Sequence, residues 1–434
     1  MAAGLGTRMR SGTPKHLHPL LGKRVLDWTL DTVRELGADR AVVVVAPGGE
    51  DVGEGVEAAV QREPRGTGDA VASAGSALEG FEGDVLVLDG AAPLLTADLL
   101  RGLLDEHERT SAAVTVLTIE PARRLPYGRI VRDDSGALLA IVEERDATPE
   151  QRAIRELNSS IYVFDAAALW AALAGLEPRN AQGELYLTQS IERIVAAGKP
   201  AAAWISPDSR SPEGINTRAD LAECAAILRD RINERHLLAG VTIADPRTTW
   251  IDDGVELEPD TVVHPFTVLR GSTRIAAGAE IGPHAVAIDA EVGPGALVGP
   301  FCYLRPGTVL AAGAKAGTFV ELKNTSVGEG AKVPHLSYMG DAEIGAGTNI
   351  GAANVTANFD HRPGQPKKRT KIGRNVRTAV DNTFVAPVEI GDDAWIAAGA
   401  VITEDVPPGS LAGFAPRQVT KEGYVYDRHG KRDD

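Results

Sequence analysis

The sequence is poor in the features that would tie it to an oxidising or membrane environment. It has two cysteines, Cys224 and Cys302, in 434 residues, with only three methionines and 5% aromatic residues. Two cysteines cannot build a disulfide framework, so a reducing compartment, the cytoplasm, is expected. No run of 18 or more apolar residues occurs, which argues against a membrane-spanning helix. The opening residues, Met1 to Gly6, lack the basic stretch and apolar core of a secretory signal. Positive charge is scarce as well: 45 Lys and Arg stand against 60 Asp and Glu, a net charge of −15. Nonspecific nucleic-acid binding is thereby disfavoured, while small anionic substrates need only a local cluster of Lys and Arg. The remaining composition, 43% hydrophobic and 24% charged, is that of a soluble globular protein, and the length calls for two or three domains.

The C-terminal half repeats with a period of six. Aliphatic side chains stand at Ile251, Leu257, Val263, Leu269, Ile275 and Ile281. The register slips by one and resumes at Val286, Val292, Val298, Leu304 and Leu310. It returns at Ile344 and Ile350, then at Phe384, Ile390, Ile396 and Ile402. A short fixed period means a stacked solenoid, whose repeats bury their apolar faces against their neighbours. Three hexapeptides make one coil, and the solenoid is expected from about Val241 to Val406. The separation of Ile350 and Ile372 is three hexads plus four, so an inserted loop is predicted there; it carries the basic run 361–369. A repeat that breaks its period marks either a tolerated insertion or a functional loop. Flat solenoid faces left apolar lead to an expected homotrimer.

Up to about position 215 the chain alternates strand and helix patterns. The stretches 41–45 and 85–88 read as buried parallel strands, with a helix over 68–78 between them. This predicts an α/β domain with a mostly parallel sheet and ligands at the carboxyl ends of its strands. Over 218–239, Leu221, Cys224, Ile227, Leu228 and Ile232 form the apolar stripe of a joining helix. The expected organisation is an α/β domain over 1–217, a linker helix over 218–240 and a solenoid domain over 241–434.

Near the start, Gly4, Gly6, Thr7, Arg8 and Met9 precede Pro14 and Lys15. Glycines let a backbone approach a phosphate, and Arg8 and Lys15 add positive charge. The pattern resembles the phosphate loop of sugar-nucleotide pyrophosphorylases. Joined to a hexapeptide solenoid, it is similar to the bifunctional N-acetylglucosamine-1-phosphate uridyltransferase and glucosamine-1-phosphate N-acetyltransferase family. Further matching stretches include Gly66-Thr67-Gly68, Tyr127-Gly128-Arg129-Ile130, Glu156-Leu157-Asn158, the run 180–188 and Glu213-Gly214-Ile215-Asn216.

For the first domain the resemblance implies a Rossmann-like nucleotidyltransferase fold. Ala3, Gly4, Gly6, Arg8, Lys15 and Gly90 would line the UTP and UDP-sugar site. Gln61, Gly66 and Thr67 would read the uracil, and Gly128, Glu143 and Asn158 would hold N-acetylglucosamine. Asn216 would be one of two Mg²⁺ ligands. The implied reaction is attack of the sugar phosphate on the α-phosphorus of UTP with release of pyrophosphate. Two departures stand out. Ala91 occupies the position of the partner aspartate, and alanine offers no oxygen to a hard cation. Asp89 lies two positions earlier on the same strand face, about 6.6 Å away, and is the candidate substitute. The chain also begins at the phosphate loop, so the strand leading into it is expected to be missing from the sheet. Weak or absent uridyl transfer is the expectation.

For the second domain the resemblance implies a left-handed parallel β-helix that transfers acetyl from acetyl-CoA. Arg305 and Lys323, one coil of three hexads apart, should stack on one face, as surface charges or around a phosphate. By resemblance they bind the phosphate of glucosamine 1-phosphate, with Tyr338 and Asn349 completing the sugar site. His335 would take a proton from the attacking amine, with Glu321 as the candidate to orient it. Asn358 and Phe359 would hold the thioester region, Ala352 and Ala398 would approach the pantetheine arm, and Lys367 and Lys368 could meet a phosphate. Departures are Val380 for the usual serine, Phe359 for the usual tyrosine, and no clear counterpart of a late arginine, Arg417 being near but offset. Two other readings stay open: a different sugar-1-phosphate nucleotidyltransferase with a regulatory β-helix, and an acetyltransferase or scaffold carrying a relic nucleotide-binding domain.

Overall fold

The computed structural model describes residues 1–434 apart from Leu5, His361, Pro363, 414–417, Val425 and 427–434. Arg417 and two residues of the basic insert therefore lie outside the described residues. The chain forms two compact units, Met1–Leu228 and Arg229–Asp434. The helix Arg218–Leu238 carries the chain from one to the other. On its stripe Cys224, Leu228 and Ile232 are buried. Both cysteines are free and buried, and burial pushes each thiol up to about 12. Among the described residues no helix is long and apolar enough to cross a membrane.

The first unit has a mixed sheet. Parallel pairing joins Ala201–Ile205 to Val114–Ile119 and Val42–Val45 to Glu57–Val60. The long strand Leu157–Asp165 runs antiparallel to both Asp84–Val87 and Val114–Ile119. Tyr162 and Phe164 on that strand, both almost wholly buried, anchor the core. The stretch read as one helix over 68–78 is the helix Thr67–Ser73 followed by a 3₁₀ turn Ser76–Leu78. Met1 and Ala2 supply the link expected from a leading strand. The Ala2 N–H donates to Val44, the Met1 ammonium to Leu88, and the Gly90 N–H to the Met1 carbonyl. Beside them an apolar cavity of about 320 Å³ lies between Val42–Val44 and Val85–Leu88.

The second unit is a parallel β-helix with three faces. Its strands run from Thr242–Ile243 to Leu411–Ala412, each paired to the strand one coil on. Ile281, Val298 and Val333 point inward on the first face, Leu269, Leu304 and Leu322 on the second, and Ile275, Val292 and Leu310 on the third; all are buried. Two details of the period differ from the sequence reading. Val286 is not an inward position: Leu269 pairs with Ala287, and Ala287 fills the core while Val286 is half-buried. The slip falls after it, because Ile275 pairs with Val292, one position short of three hexads. The corner between tightens at Asp289, whose backbone is left-handed at φ 46° and whose carboxylate accepts from the Ser272 N–H and hydroxyl. The insert is also longer than the predicted four. Val327 pairs with Ile344, Ile344 with Ile372, and Ile372 with Ile390, so the middle coil is more than half as long again as its neighbours. Ile350 belongs to the first face and Ile372 to the third, so their spacing crosses two faces and not a whole coil.

At the corner between first and second faces, Phe266, His284, Phe301 and Phe319 stack ring on ring at centroid distances of 4.7, 4.7 and 5.3 Å. All four have positive φ. The corner repeats in register from coil to coil, and that repetition builds the site described next.

Candidate functional site

Corner hydrogen bonds stack one residue of each coil above the last. Leu336 N–H donates to the Thr318 carbonyl, Ala353 N–H to His335, Asp381 N–H to Ala352, and Gly399 N–H to Val380. Thr318, His335, Ala352, Val380 and Ala398 therefore form a column along this corner. His335 ends the strand Lys332–His335 and is exposed. Above it come two alanines with a valine between them, so this corner is apolar.

The second face carries the polar groups. Tyr303 pairs with Glu321 and Glu321 with Tyr338, so these side chains form one outward column. Arg305 and Lys323 follow in the next outward column, since Leu304 pairs with Leu322. Arg305 lies over the Tyr303 ring at 5.9 Å and donates from Nη1 to Glu321 Oε1 at 2.8 Å. That ion pair raises Arg305 above the ordinary arginine range. Glu321, expected to orient His335, thus has its carboxylate engaged by Arg305.

At the far edge of this face the hub is Asp341. Its Oδ1 accepts from Asn324 Nδ2 at 2.6 Å, its Oδ2 accepts from Asn358 Nδ2, and Lys323 Nζ stands 3.9 Å away. Its burial alone would raise the carboxyl; those donors and the cations Lys323 and Lys367 hold it below the usual carboxylate range. The neighbouring Lys367 ammonium and desolvation lower the Lys323 ammonium. Arg305, Lys323 and Lys367 thus share two carboxylates, Glu321 and Asp341. Asp341 and Asn324 were missed by sequence reasoning. The available signal was Asp341 directly after Gly340 at a corner, a position that here has φ 51°.

Not every expected residue joins this face. Asn349 sits on the first face, bridging Lys332 and Arg377, so one chain does not bring it to Arg305, Lys323 and Tyr338. Asn358 is buried against Asp341 and Phe359 is exposed beside it, across the face from the His335 column. Lys368 lies 3.8 Å from Asp360.

In the α/β unit the loop closes on itself. Gly6 has φ 59°, and a Cβ there would come 3.2 Å from Lys15 Cβ. Gly66, at φ 118°, would bring a Cβ within 2.5 Å of the Leu185 carbonyl, so only glycine fits. Gln61 is buried and donates to the Gly66 carbonyl at 3.1 Å and to Asp69 at 2.9 Å, so it braces this turn. Thr67 Oγ1 accepts from the Leu187 N–H. Gly128, Glu143 and Asn158 do come together. The Asn158 N–H donates to Gly128 at 2.8 Å, and a Cβ on Gly128 would lie 3.6 Å from Glu143 Oε1. Desolvation raises Glu143, against one hydrogen bond from Thr188. Gly90 is packed against the Met1 carbonyl and Ala2.

The residues do not fit the Mg²⁺ that the resemblance implies. Ala91 is fully buried in an apolar cluster with Met9, Leu94 and Ile215. Asn216 Oδ1 accepts from Arg8 Nη2 at 2.9 Å. Asp89, the candidate substitute, is held by Lys15 Nζ at 3.1 Å and by the Ala91 N–H at 3.0 Å. Desolvation would raise its carboxyl, but Lys15 and the Met1 ammonium outweigh that and hold it below the usual range.

A phosphate loop at the carboxyl ends of a mixed α/β sheet, followed by a hexapeptide β-helix with an imidazole and a cationic face, defines a two-part sugar-phosphate transferase. Comparison narrows the class. Residues 1–161 match the MobA-like NTP transferase domain. Over the whole chain, the "Bifunctional protein GlmU" of Streptomyces avermitilis is 48% identical, covering 98% of this chain and 93% of the relative. Proteins of the same name from Mycolicibacterium vanbaalenii and Thermoanaerobacter pseudethanolicus are 48% and 43% identical, covering 98% and 99% of this chain. The chain belongs to the GlmU family of bifunctional acetyl- and uridyltransferases and is an enzyme of that family, with a glucosamine-1-phosphate N-acetyltransferase solenoid.

Proposed function

We infer that acetyl transfer takes place across the second solenoid face, between the His335 corner and the Asp341 edge. The observation that carries this is the corner column, in which His335 stands in register with Ala352, Val380 and Ala398. An extended pantetheine chain needs a small-residue wall, and a thioester at its end must reach the base. Arg305, Lys323 and Lys367 would take the phosphate of glucosamine 1-phosphate. Tyr338, between them and His335, would bound the sugar. The amine must be neutral to attack the thioester carbonyl, so a base has to remove its proton. The imidazole of His335 would be that base. As the C–N bond forms and the C–S bond breaks, coenzyme A leaves as thiol. Asn358 and Phe359 would meet the coenzyme from the opposite edge, Asn358 held by Asp341 and free to offer its amide to the oxyanion.

Asn349 stands on another face of the same chain. In a closed assembly of three chains it could meet the second face of a neighbour, which supports the homotrimer and a shared site. The enzyme would work in the cytoplasm on soluble sugar phosphates, with acetyl-CoA and UTP as co-substrates. In the α/β unit, Gly128, Glu143 and Asn158 would take the acetylated sugar, Arg8 and Lys15 the UTP phosphates, and Gln61, Gly66 and Thr67 the uracil. The test is thiol release from acetyl-CoA on adding glucosamine 1-phosphate, with sedimentation on the same sample. Turnover with a trimer supports the reading, and a folded trimer inert toward glucosamine 1-phosphate refutes it.

A further inference from the structure

Three oxygen-bearing side chains in the nucleotide unit could face a divalent cation, and each has another partner. Asn216 Oδ1 accepts from the Arg8 guanidinium at 2.9 Å. Asp89 binds the Lys15 ammonium at 3.1 and 3.3 Å. Asp220 accepts from the backbone N–H groups of Asn216 and Thr217 at 3.0 and 2.8 Å. Ala91 contributes none. A magnesium ion demands near-octahedral oxygen ligation at close range. To enter here it would have to displace Arg8 from Asn216 and Lys15 from Asp89.

We propose that this unit binds nucleoside triphosphate without a protein-bound divalent cation, the Arg8 guanidinium standing where the metal would be and Lys15 supplying the second positive charge. A guanidinium is planar and always charged, and it forks onto phosphate oxygens. On swinging from Asn216 to a phosphate it exchanges one neutral acceptor for an anionic one, at a gain. Lys15 would remain on Asp89, close to the loop glycines and pointing the same field at the phosphates. The inference rests on reading Gly4 to Lys15 as a triphosphate loop, and it specifies how that loop neutralises charge.

Its test is UTP binding by calorimetry on the full-length protein, once in EDTA and once in excess Mg²⁺, with Mn²⁺ binding followed separately by electron paramagnetic resonance. The expected result is equal affinity within about twofold under both conditions, and no protein-bound Mn²⁺ without nucleotide. Ala91→Asp adds a carboxylate to the residue whose carbonyl accepts from the Ile215 N–H, one position before Asn216, and Mg²⁺ should then tighten UTP by roughly tenfold, equivalent to about 1.4 kcal/mol. Because Ala91 is buried among apolar groups, Ala91→Asp is checked by thermal melting. Arg8→Ala, at an exposed position, is the second variant and should weaken UTP about tenfold in EDTA. UTP affinity that drops tenfold or more in EDTA for the unaltered protein overturns the inference and leaves the triphosphate loop standing. UTP binding under neither condition overturns both.

Discussion

On the second solenoid face Arg305 and Lys323 follow each other by strand register, and Lys367 joins them from the insert. Asp341 anchors one edge of the group, and the cations still outnumber the carboxylates around them. In the α/β unit Arg8 and Lys15 come from a loop, and each engages one partner of its own unit, Asn216 or Asp89. The first arrangement leaves one cation in excess of its carboxylates. The second sets Lys15 against a carboxylate and leaves Arg8 on a neutral amide. The difference follows from scaffold: a β-helix returns to the same position once per coil and stacks like on like, whereas a loop must find its counter-charges wherever the fold delivers them.

The comparison breaks most visibly if His335 is dispensable. His335→Ala should lower acetyl transfer by about 10²- to 10⁴-fold, the usual contribution of a general base. The exposed ring leaves the buried core intact, so the melting temperature and oligomeric state should not change. Steady-state thiol release with glucosamine 1-phosphate measures it, and activity within threefold of the unaltered enzyme removes His335 from the chemistry.

Next in size is the internal balance of the α/β unit. Asp89→Asn leaves Lys15 and the Met1 ammonium without their carboxylate. It should cost roughly 1.5–3 kcal/mol, the range for hydrogen bonds to charged groups, since the pair is half-buried. The folded Asp89 carboxyl lies below its ordinary value. Its contribution is therefore present above the usual carboxylate range and lost as pH falls through the lowered folded value. Thermal melting between pH 3 and 7 should show the unaltered unit losing stability in acid and the variant losing less. Parallel curves would mean that Asp89 does not hold the loop.

Much of the solenoid could be read from the chain because its signal is periodic. The register that buries Leu304 and Leu322 also stacks Arg305 on Lys323. The misplaced slip traces to a single corner: Asp289 takes a left-handed turn that removes one residue, and an alternating pattern cannot show at which of two neighbouring strands that happens. The insert was underestimated because spacing was counted within one face although its ends lie on two. The loop site was less legible. Arg8 and Asn216 are 208 residues apart, and no local pattern pairs them. Asp89 could be named from strand alternation, but its engagement by Lys15 depends on a three-dimensional fold. Glu321 was assigned to His335 by resemblance, whereas the nearest strong cation, Arg305, claims it.

The edge of the solenoid site offers a subtler probe. Asp341→Asn keeps the shape and removes the charge that holds Asn358, Asn324 and Lys323. Hydrogen bonds to charged groups contribute about 1.5–3 kcal/mol, so the Michaelis constants should rise by roughly ten- to a hundredfold. The turnover number should fall less, through the loosened Asn358 amide alone, since His335 stands at the other edge. A fall in turnover with unchanged Michaelis constants would make Asp341 a participant in the chemical step and not a positioning residue.

The smallest expected effect guards the comparison against the claim that any solenoid charge matters. Arg374 and Asp392 pair at 3.0 Å with 72% and 40% of their side chains exposed. They stand at the corner between third and first faces, away from the His335 column. Exposed pairs of this kind gain little in water and pay side-chain entropy. Arg374→Ala should leave the melting temperature, turnover and both Michaelis constants where they are. A twofold or larger rise in the Michaelis constant for glucosamine 1-phosphate would bring a second face into the site. In a closed trimer that is the result to expect if a neighbour's third-face corner, and not only its first face, leans over the cationic cluster.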